Sequence, residues 1–268
     1  MHLLVLGLGY SASRIADAAR GTGFAITAVR SRPAPDVLTL NSPDLPDAIA
    51  GATHILSSVP PAADGSDPVL AAHGGQLAQA RAKWIGYLSS TGVYGDTGGA
   101  WVDEGAPRQG RRAGRNLADE QWQALHAQAR VFRLPGIYGP GRSAIDRLRA
   151  GPVARIDLPG HVFSRIHVDD IAGAVLASMA GGPAGIFNIA DDLPAPGEAV
   201  TAAAARLIGQ EPAPLIPLDQ AQLSPMGRAF YAECRRVANG RMKRQLGTCL
   251  KYPDYHAGLA ACLEEIAQ

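Results

Sequence analysis

Cysteine is scarce in this 268-residue chain: Cys234, Cys249 and Cys262 lie far apart and form no C-x-x-C pair. Such spacing argues against a disulfide framework and a zinc site and reads as reduced cytosolic thiols, so no metal is expected. An excess of either charge is lacking as well. Lys and Arg number 25 against 24 Asp and Glu, a net charge of +1, which leaves no basic field to hold a nucleic acid. Arg111, Arg112 and Arg115 make only a local patch. The apolar opening MHLLVLGLG lacks a charged leader and breaks at glycine too soon for a signal sequence or a membrane span. No membrane partner is expected, and a cytoplasmic location is.

Apolar and small residues are abundant: the hydrophobic fraction is 47%, the charged fraction 18%, and there are 31 glycines. This is the composition of a globular α/β protein, and a chain of this length can bury roughly 70–75% of its unfolded surface. Continuous apolar runs of strand length (LLVL, AITAV, HILSSV, WIGYLSS, VFRL) alternate with Ala-rich stretches of helix length such as SRIADAAR. Alternation of this kind predicts βαβ units, and continuity of the runs predicts strands covered on both faces. The expected fold is therefore α/β, a doubly wound parallel sheet of Rossmann type with a smaller C-terminal substrate lobe. Changes of texture after Pro135 and Pro194 assign residues 1–138 and 164–191 to the dinucleotide domain and 139–163 and 192–268 to the lobe.

Gly7-Leu8-Gly9-Tyr10-Ser11-Ala12 fits G-x-G-x-x-G/A. The first glycine permits a tight turn, the second lets the backbone approach a pyrophosphate, and the small third residue packs helix on strand. Gly139 to Ala144 matches the same pattern, but Pro140 removes a needed N–H and no clean strand precedes it. Where an NAD site carries an acid after the second strand, this chain reads Arg30-Ser31-Arg32. Two guanidinium groups and a hydroxyl there suit the 2′-phosphate of NADP, so NADP is expected and NAD less so. Placement of both arginines in a solvated loop is the alternative.

Further stretches follow in order: HILSSVPP, read as a fourth strand, YLSSTGVYG as a fifth, FRLPGIYGPGR as a sixth, then SRIHVDDIAGAV and, near the end, RRVANGRMKRQLG and YPDY. With the glycine loop, they resemble the extended and atypical short-chain dehydrogenase/reductase superfamily of NAD-dependent epimerases and dehydratases, over nearly the whole chain. The resemblance implies that Ser90 bonds the reacting oxygen, with Thr91 a neighbour, and Ser89 is a candidate contact to the cofactor. It implies that Ser58, Val59 and Pro60 pass the cofactor's ribose and that Pro135 and Ile137 flank the nicotinamide.

In that superfamily the helix after the serine carries Tyr-x-x-x-Lys. Counting back from Glu120, those positions hold Arg112 and Asn116. A phenol of pKa about 10 lies roughly 4 kcal/mol from useful ionisation at neutral pH, which is why the chemistry needs the pair. Arginine does not replace tyrosine as a proton donor, though it suits a carboxylate or phosphate, and Asn116 suits a ribose hydroxyl. The arginines at 111, 112 and 115 read either as a site wall or as a solvated helix start. Tyr94 and Tyr138, both at the carboxyl ends of strands, are the candidate proton donors, and Tyr94 is taken as the catalytic one. Arg112, Tyr138, Arg142 and Arg165 are the candidate contacts to a small, anionic substrate. His167-Val168-Asp169-Asp170 lacks a third metal ligand and reads as a helix start capped by an aspartate.

Two functions follow: an NADP-dependent oxidoreductase or epimerase-like enzyme of atypical type, or a catalytically silent NAD(P)-binding sensor or scaffold. A monomer or homodimer is expected for either.

Overall fold

The computed structural model describes residues 1–35, 37–223 and 225–267. Its first half runs β1 (His2–Leu6), α1 (Tyr10–Gly21), β2 (Ala25–Val29), α2 (Leu45–Gly51), β3 (His54–Ser57), α3 (Pro68–Ala78), β4 (Trp84–Ser90), β5 (Trp101–Val102), α4 (Ala113–Leu125) and β6 (Ala129–Leu134). The second half runs β7 (Gly136–Tyr138), α5 (Ala144–Ala150), β8 (Arg155–Asp157), β9 (Arg165–His167), α6 (Val168–Gly181), β10 (Gly185–Asn188), α7 (Gly197–Leu207), β11 (Leu215–Pro217), α8 (Pro225–Tyr231), β12 (Arg236–Val237), α9 (Gly240–Leu246) and α10 (Tyr255–Ala267).

Six strands form one parallel sheet in the order β10-β6-β4-β3-β1-β2. Because side chains alternate across a strand, each apolar run feeds two cores. In β1, Leu3 and Val5 join one cluster and Leu4 and Leu6 the other; in β4, Trp84 and Leu88 oppose Ile85 and Tyr87. The first cluster is closed by α1, α6 and Met242 and Leu246 of α9, the second by α2, α3 and α4. A fully apolar run is what such a two-faced strand requires, and the sheet is the doubly wound Rossmann arrangement expected. A third cluster joins Tyr138, Ala144 and Ile145 to Ala195, Val200, Ala204, Tyr255, Leu259 and Cys262.

Two local readings are corrected. HILS is the third strand of the sheet, not the fourth: among the described residues, prolines 33 and 35 and the turns that follow leave only isolated bridges, such as Val29 with Leu38, between β2 and α2. Helix α6 is capped by His167, whose Nδ1 accepts from the Asp169 N–H at 3.2 Å, and not by an aspartate. Asp169 instead pairs with Arg14, and Asp170 accepts the N–H groups of Lys251 and Tyr252. No helix among the described residues is long and apolar enough to cross a membrane.

Gly86 shows how tightly β4 is filled. A Cβ at this position would lie 2.1 Å from the Trp84 ring, which is fixed by its Nε1–H donating to Ser178 Oγ at 3.0 Å. We expect Gly86→Val to lower stability by about 1–3 kcal/mol through overpacking, read as a lower urea midpoint at unchanged m-value.

Candidate functional site

The carboxyl end of β1 turns sharply into α1. Gly7 has φ +87°, and a Cβ there would meet Val59 Cγ2 at 2.7 Å, so only glycine fits. Gly9 is different: a Cβ on it would project into open space. Helix α1 has no capping side chain and no acid in its first turn. The N–H groups of Tyr10, Ser11 and Ala12 therefore stand without a side-chain partner at the positive end of the helix. A bare glycine beneath free N–H groups fits a pyrophosphate.

Around this turn the sheet assembles a cavity of about 330 Å³ at the switch point between β1 and β3. Its wall brings together Gly9, Tyr10, Ser11 and Ala12 with Ser58, Pro60, Ser89, Ser90, Arg112, Pro135, Ile137 and Arg142; Leu88, Arg115 and Leu134 complete it. Residues drawn from positions 9 to 142 meet because four parallel strands all end on the same edge.

Within the wall, the hydroxyl groups differ in availability. Ser58 donates to the Gly7 carbonyl, tying β3 to the glycine turn, and Val59 packs beneath that turn. Ser89 donates to Asp119 Oδ2 at 2.6 Å. Ser90 accepts the Gly92 N–H at 3.1 Å, which leaves its own proton uncommitted among the described residues. Tyr10 donates to the Pro140 carbonyl at 3.1 Å, and burial pushes its phenol up to about 12.

Behind the cavity lies a polar network invisible in the reading of single motifs. Arg133, 1% exposed, forks onto Asp119, 0% exposed, with Nη2 to Oδ1 at 2.7 Å and Nε to Oδ2 at 3.1 Å. Arg133 Nη1 donates to the Tyr94 hydroxyl at 3.0 Å, which donates to Asn188 Oδ1 at 2.7 Å. Burial drives the Arg133 guanidinium toward neutrality, and Asp119 more than offsets this. The signal was present: Arg133 has the parity of Val131 in β6 and so faces α4, where Asp119 sits on the buried side. An arginine inside an otherwise apolar strand demands a carboxylate opposite it.

Four expected site residues are placed elsewhere. Tyr94 does not reach the cavity: its ring is 1% exposed, its hydroxyl is engaged at both ends, and burial raises its pKa. Tyr138 lies in the third core, donating to the Asp254 carbonyl at 3.3 Å, with burial raising its pKa. Arg165 is buried on β9, donating to the Ala195 carbonyl at 3.1 Å with its guanidinium over the Tyr255 ring. Asn116 donates to the Gly110 carbonyl at 2.8 Å and borders a second cavity of about 430 Å³ with Glu104, Arg108 and Glu120. The two tyrosines and Arg165, near strand ends, point into packing instead of toward the open edge, and Asn116, on α4, is tied to the loop before its helix. Arg30, Ser31 and Arg32 are exposed just beyond β2, outside the cavity wall. Arg111 also turns away, pairing with Glu233 at 2.7 Å.

Fold and cleft together define a Rossmann-type protein with a ligand cavity at the topological switch point. Comparison with known proteins places that class more closely. A solved structure from Silicibacter pomeroyi DSS, described as a functionally unknown conserved protein, is 42% identical over 98% of each chain with a TM-score of 0.85. Human epimerase family protein SDR39U1, solved with NADPH, is 20% identical with a TM-score of 0.76, covering 98% of this chain and 99% of that one. A Streptomyces 3-diazoavenalumate denitrifying reductase is 31% identical over 140 residues, 48% of this chain and 45% of that protein, so the match spans less than half of the curated relative. No family model matches. The fold is thus that of epimerase- and dehydratase-like proteins of the short-chain dehydrogenase/reductase type, which the chain resembles along its motifs.

Two measurements test this geometry. Removing one partner of the buried pair, by Asp119→Ala or Arg133→Met, is expected to cost about 3–5 kcal/mol, and the double variant less than the sum; additive losses would mean the pair is uncoupled. The Asp191 carboxyl, 2% exposed, is pushed up to about 7 by burial, which Arg165 only partly counters. The folded chain thus keeps a proton that the unfolded chain loses near pH 4. Stability from this group is full below about pH 4 and falls toward pH 7, by up to about 1.4 kcal/mol per pH unit. Denaturant melts of wild type and Asp191→Asn should diverge over this range, the wild type losing ground as pH rises.

Proposed function

We propose that this chain is an oxidoreductase or epimerase-like enzyme that binds a nicotinamide dinucleotide, with NADP preferred to NAD. The observation that carries the reading is the convergence on one cavity of the glycine turn, the end of β3, Ser89 and Ser90 at the end of β4, and Pro135 and Ile137 after β6. The NADPH bound by the human structural neighbour and the reductase activity in the name of the Streptomyces relative support it.

In this reading the first turn of α1 holds the pyrophosphate, Pro60 lies along the ribose, and Pro135 and Ile137 pack against the nicotinamide. Arg30 and Arg32, exposed and without ion-pair partners among the described residues, receive the 2′-phosphate. When bound, the nicotinamide supplies or accepts hydride. Ser90 donates a hydrogen bond from its free hydroxyl to the substrate oxygen and orients it, keeping its own proton. Ser58 and Ser89 hold the strand ends in position through Gly7 and Asp119 and do not touch substrate.

One observation favours the second reading, a binding protein without turnover. Among the described residues the cavity wall offers no group that exchanges a proton near neutral pH: Tyr10 is raised to about 12, and arginines do not release protons in proteins. An enzyme with this wall takes its proton from water or from the substrate itself.

Calorimetric titration of the cofactor-free protein with NADPH and NADH tests the proposal. NADPH is expected to bind at least about tenfold more tightly, and Arg30→Ala to remove about tenfold or more of that affinity while leaving NADH unchanged. Equal affinities would overturn the NADP assignment, and no binding of either would overturn both readings. With the cofactor bound, a substrate screen separates enzyme from sensor, Ser90→Ala lowering turnover about a hundredfold in the enzyme.

A further inference from the structure

The cavity wall is unusual in its charge. Three arginines line it, Arg112 and Arg115 from the start of α4 and Arg142 from the loop after β7, and no aspartate or glutamate does. Other arginines nearby are neutralised: Arg111 by Glu233, Arg108 by Glu120, Arg133 by Asp119. Arg112, Arg115 and Arg142 have neither ion pair nor side-chain hydrogen bond among the described residues. Arg142 lies against the Tyr10 ring, 5.5 Å from its centroid, and so stands on the cofactor side of the cavity. Arg112, the N-cap residue of α4, and Arg115, in the first turn of that helix, line the same cavity from the α4 side.

The backbone reinforces the same sign. Helix α4 has no capping side chain and no acid in its first turn, so its positive end is uncompensated. Three cations converging on about 330 Å³ without a carboxylate repel one another unless a ligand neutralises them. A pyrophosphate held at the start of α1 would lie on the Arg142 side, which would leave the α4 arginines, Arg112 and Arg115, for a second anion.

We propose that Arg112 and Arg115 form a specificity site for an anionic group on the substrate, a carboxylate or a phosphate monoester, each of which matches the guanidinium fork. This rests on the cofactor reading above, which reserves the α1 side for the dinucleotide. The position that resembles the superfamily's tyrosine thus serves in recognition and orientation, and a substrate anchored there presents its reacting atom toward Ser90 across the same cavity.

Ligand-observed NMR on the full chain, with and without saturating NADPH, tests this with three probes of one shape: benzoate, phenyl phosphate and benzyl alcohol. In the NADPH-bound protein, benzoate or phenyl phosphate is expected to bind at or below about 1 mM and benzyl alcohol at least about tenfold more weakly. The stronger of the two anions identifies the group. Arg112→Gln with Arg115→Gln should weaken the anion at least about tenfold while NADPH affinity changes by less than about twofold. Both side chains are solvent-accessible and unpaired, so the fold should tolerate the change, and Arg112→Lys alone should retain part of the affinity. Equal binding of anion and alcohol, no binding of either anion, or loss of NADPH affinity in the double variant would each overturn the inference. Failure of NADPH to bind the wild type would instead sink the cofactor reading, so the two failures are distinguishable.

Discussion

The fork between Arg133 and Asp119 is the constraint on which the site depends. Two charges excluded from water are tolerable only when each satisfies the other, and here the geometry leaves little freedom. Through them β6 is locked to α4, Ser89 at the end of β4 is held from one side, and Tyr94 and Asn188 extend the chain to the turn after β4 and to β10. Three strand ends and one helix are thereby held in a single arrangement directly behind the cavity. Position 119 sits one turn along from Arg115 and two from Arg112, so the pair also fixes the direction in which α4 points them.

The arrangement divides the cavity into two chemically distinct sides. Around α1 the backbone supplies free N–H groups, a bare glycine and a helix dipole, which select a phosphate by geometry. At the start of α4 side chains dominate, and their charge is positive throughout. Between these poles lie Ser90 and a floor of Leu88, Leu134, Pro135 and Ile137, apolar enough to strengthen any charge interaction made above it. A wall of this kind orients and electrostatically stabilises a ligand, and it offers little to move a proton. The loss of Tyr-x-x-x-Lys is therefore consistent with the rest of the wall: no second tyrosine replaces it, because Tyr94 and Tyr138 are both committed to packing.

Much of this was legible in the order of residues. Apolar continuity in LLVL and WIGYLSS signals strands covered on both faces, and Gly7 signals a turn that only glycine permits, since both effects act within a few residues of chain. The cavity wall was also largely readable, because every contributing segment lies at the carboxyl end of a parallel strand and the topology sends those ends to one edge. The direction of individual side chains was not readable. Tyr94, Tyr138, Arg165 and Asn116 all lie close to strand ends or helix starts; the first three are turned inward by partners distant in sequence, Asn188, Asp254 and Ala195, and Asn116 is held by Gly110 in the preceding loop. Arg133 stands within the apolar run VFRL, and its meaning rests on an aspartate fourteen residues away on a helix.

The sequence by itself determined the parallel sheet, the glycine turn, the absence of the usual tyrosine and lysine, and the positive charge at positions 112 and 115, because these depend on local periodicity, backbone freedom and residue type. Tertiary structure alone decided which hydroxyls remain free, which arginines are neutralised, and that Arg112, Arg115 and Arg142 meet around one cavity without a counter-charge. Burial and pairing are properties of what surrounds a side chain, and those surroundings come together only when the chain has folded.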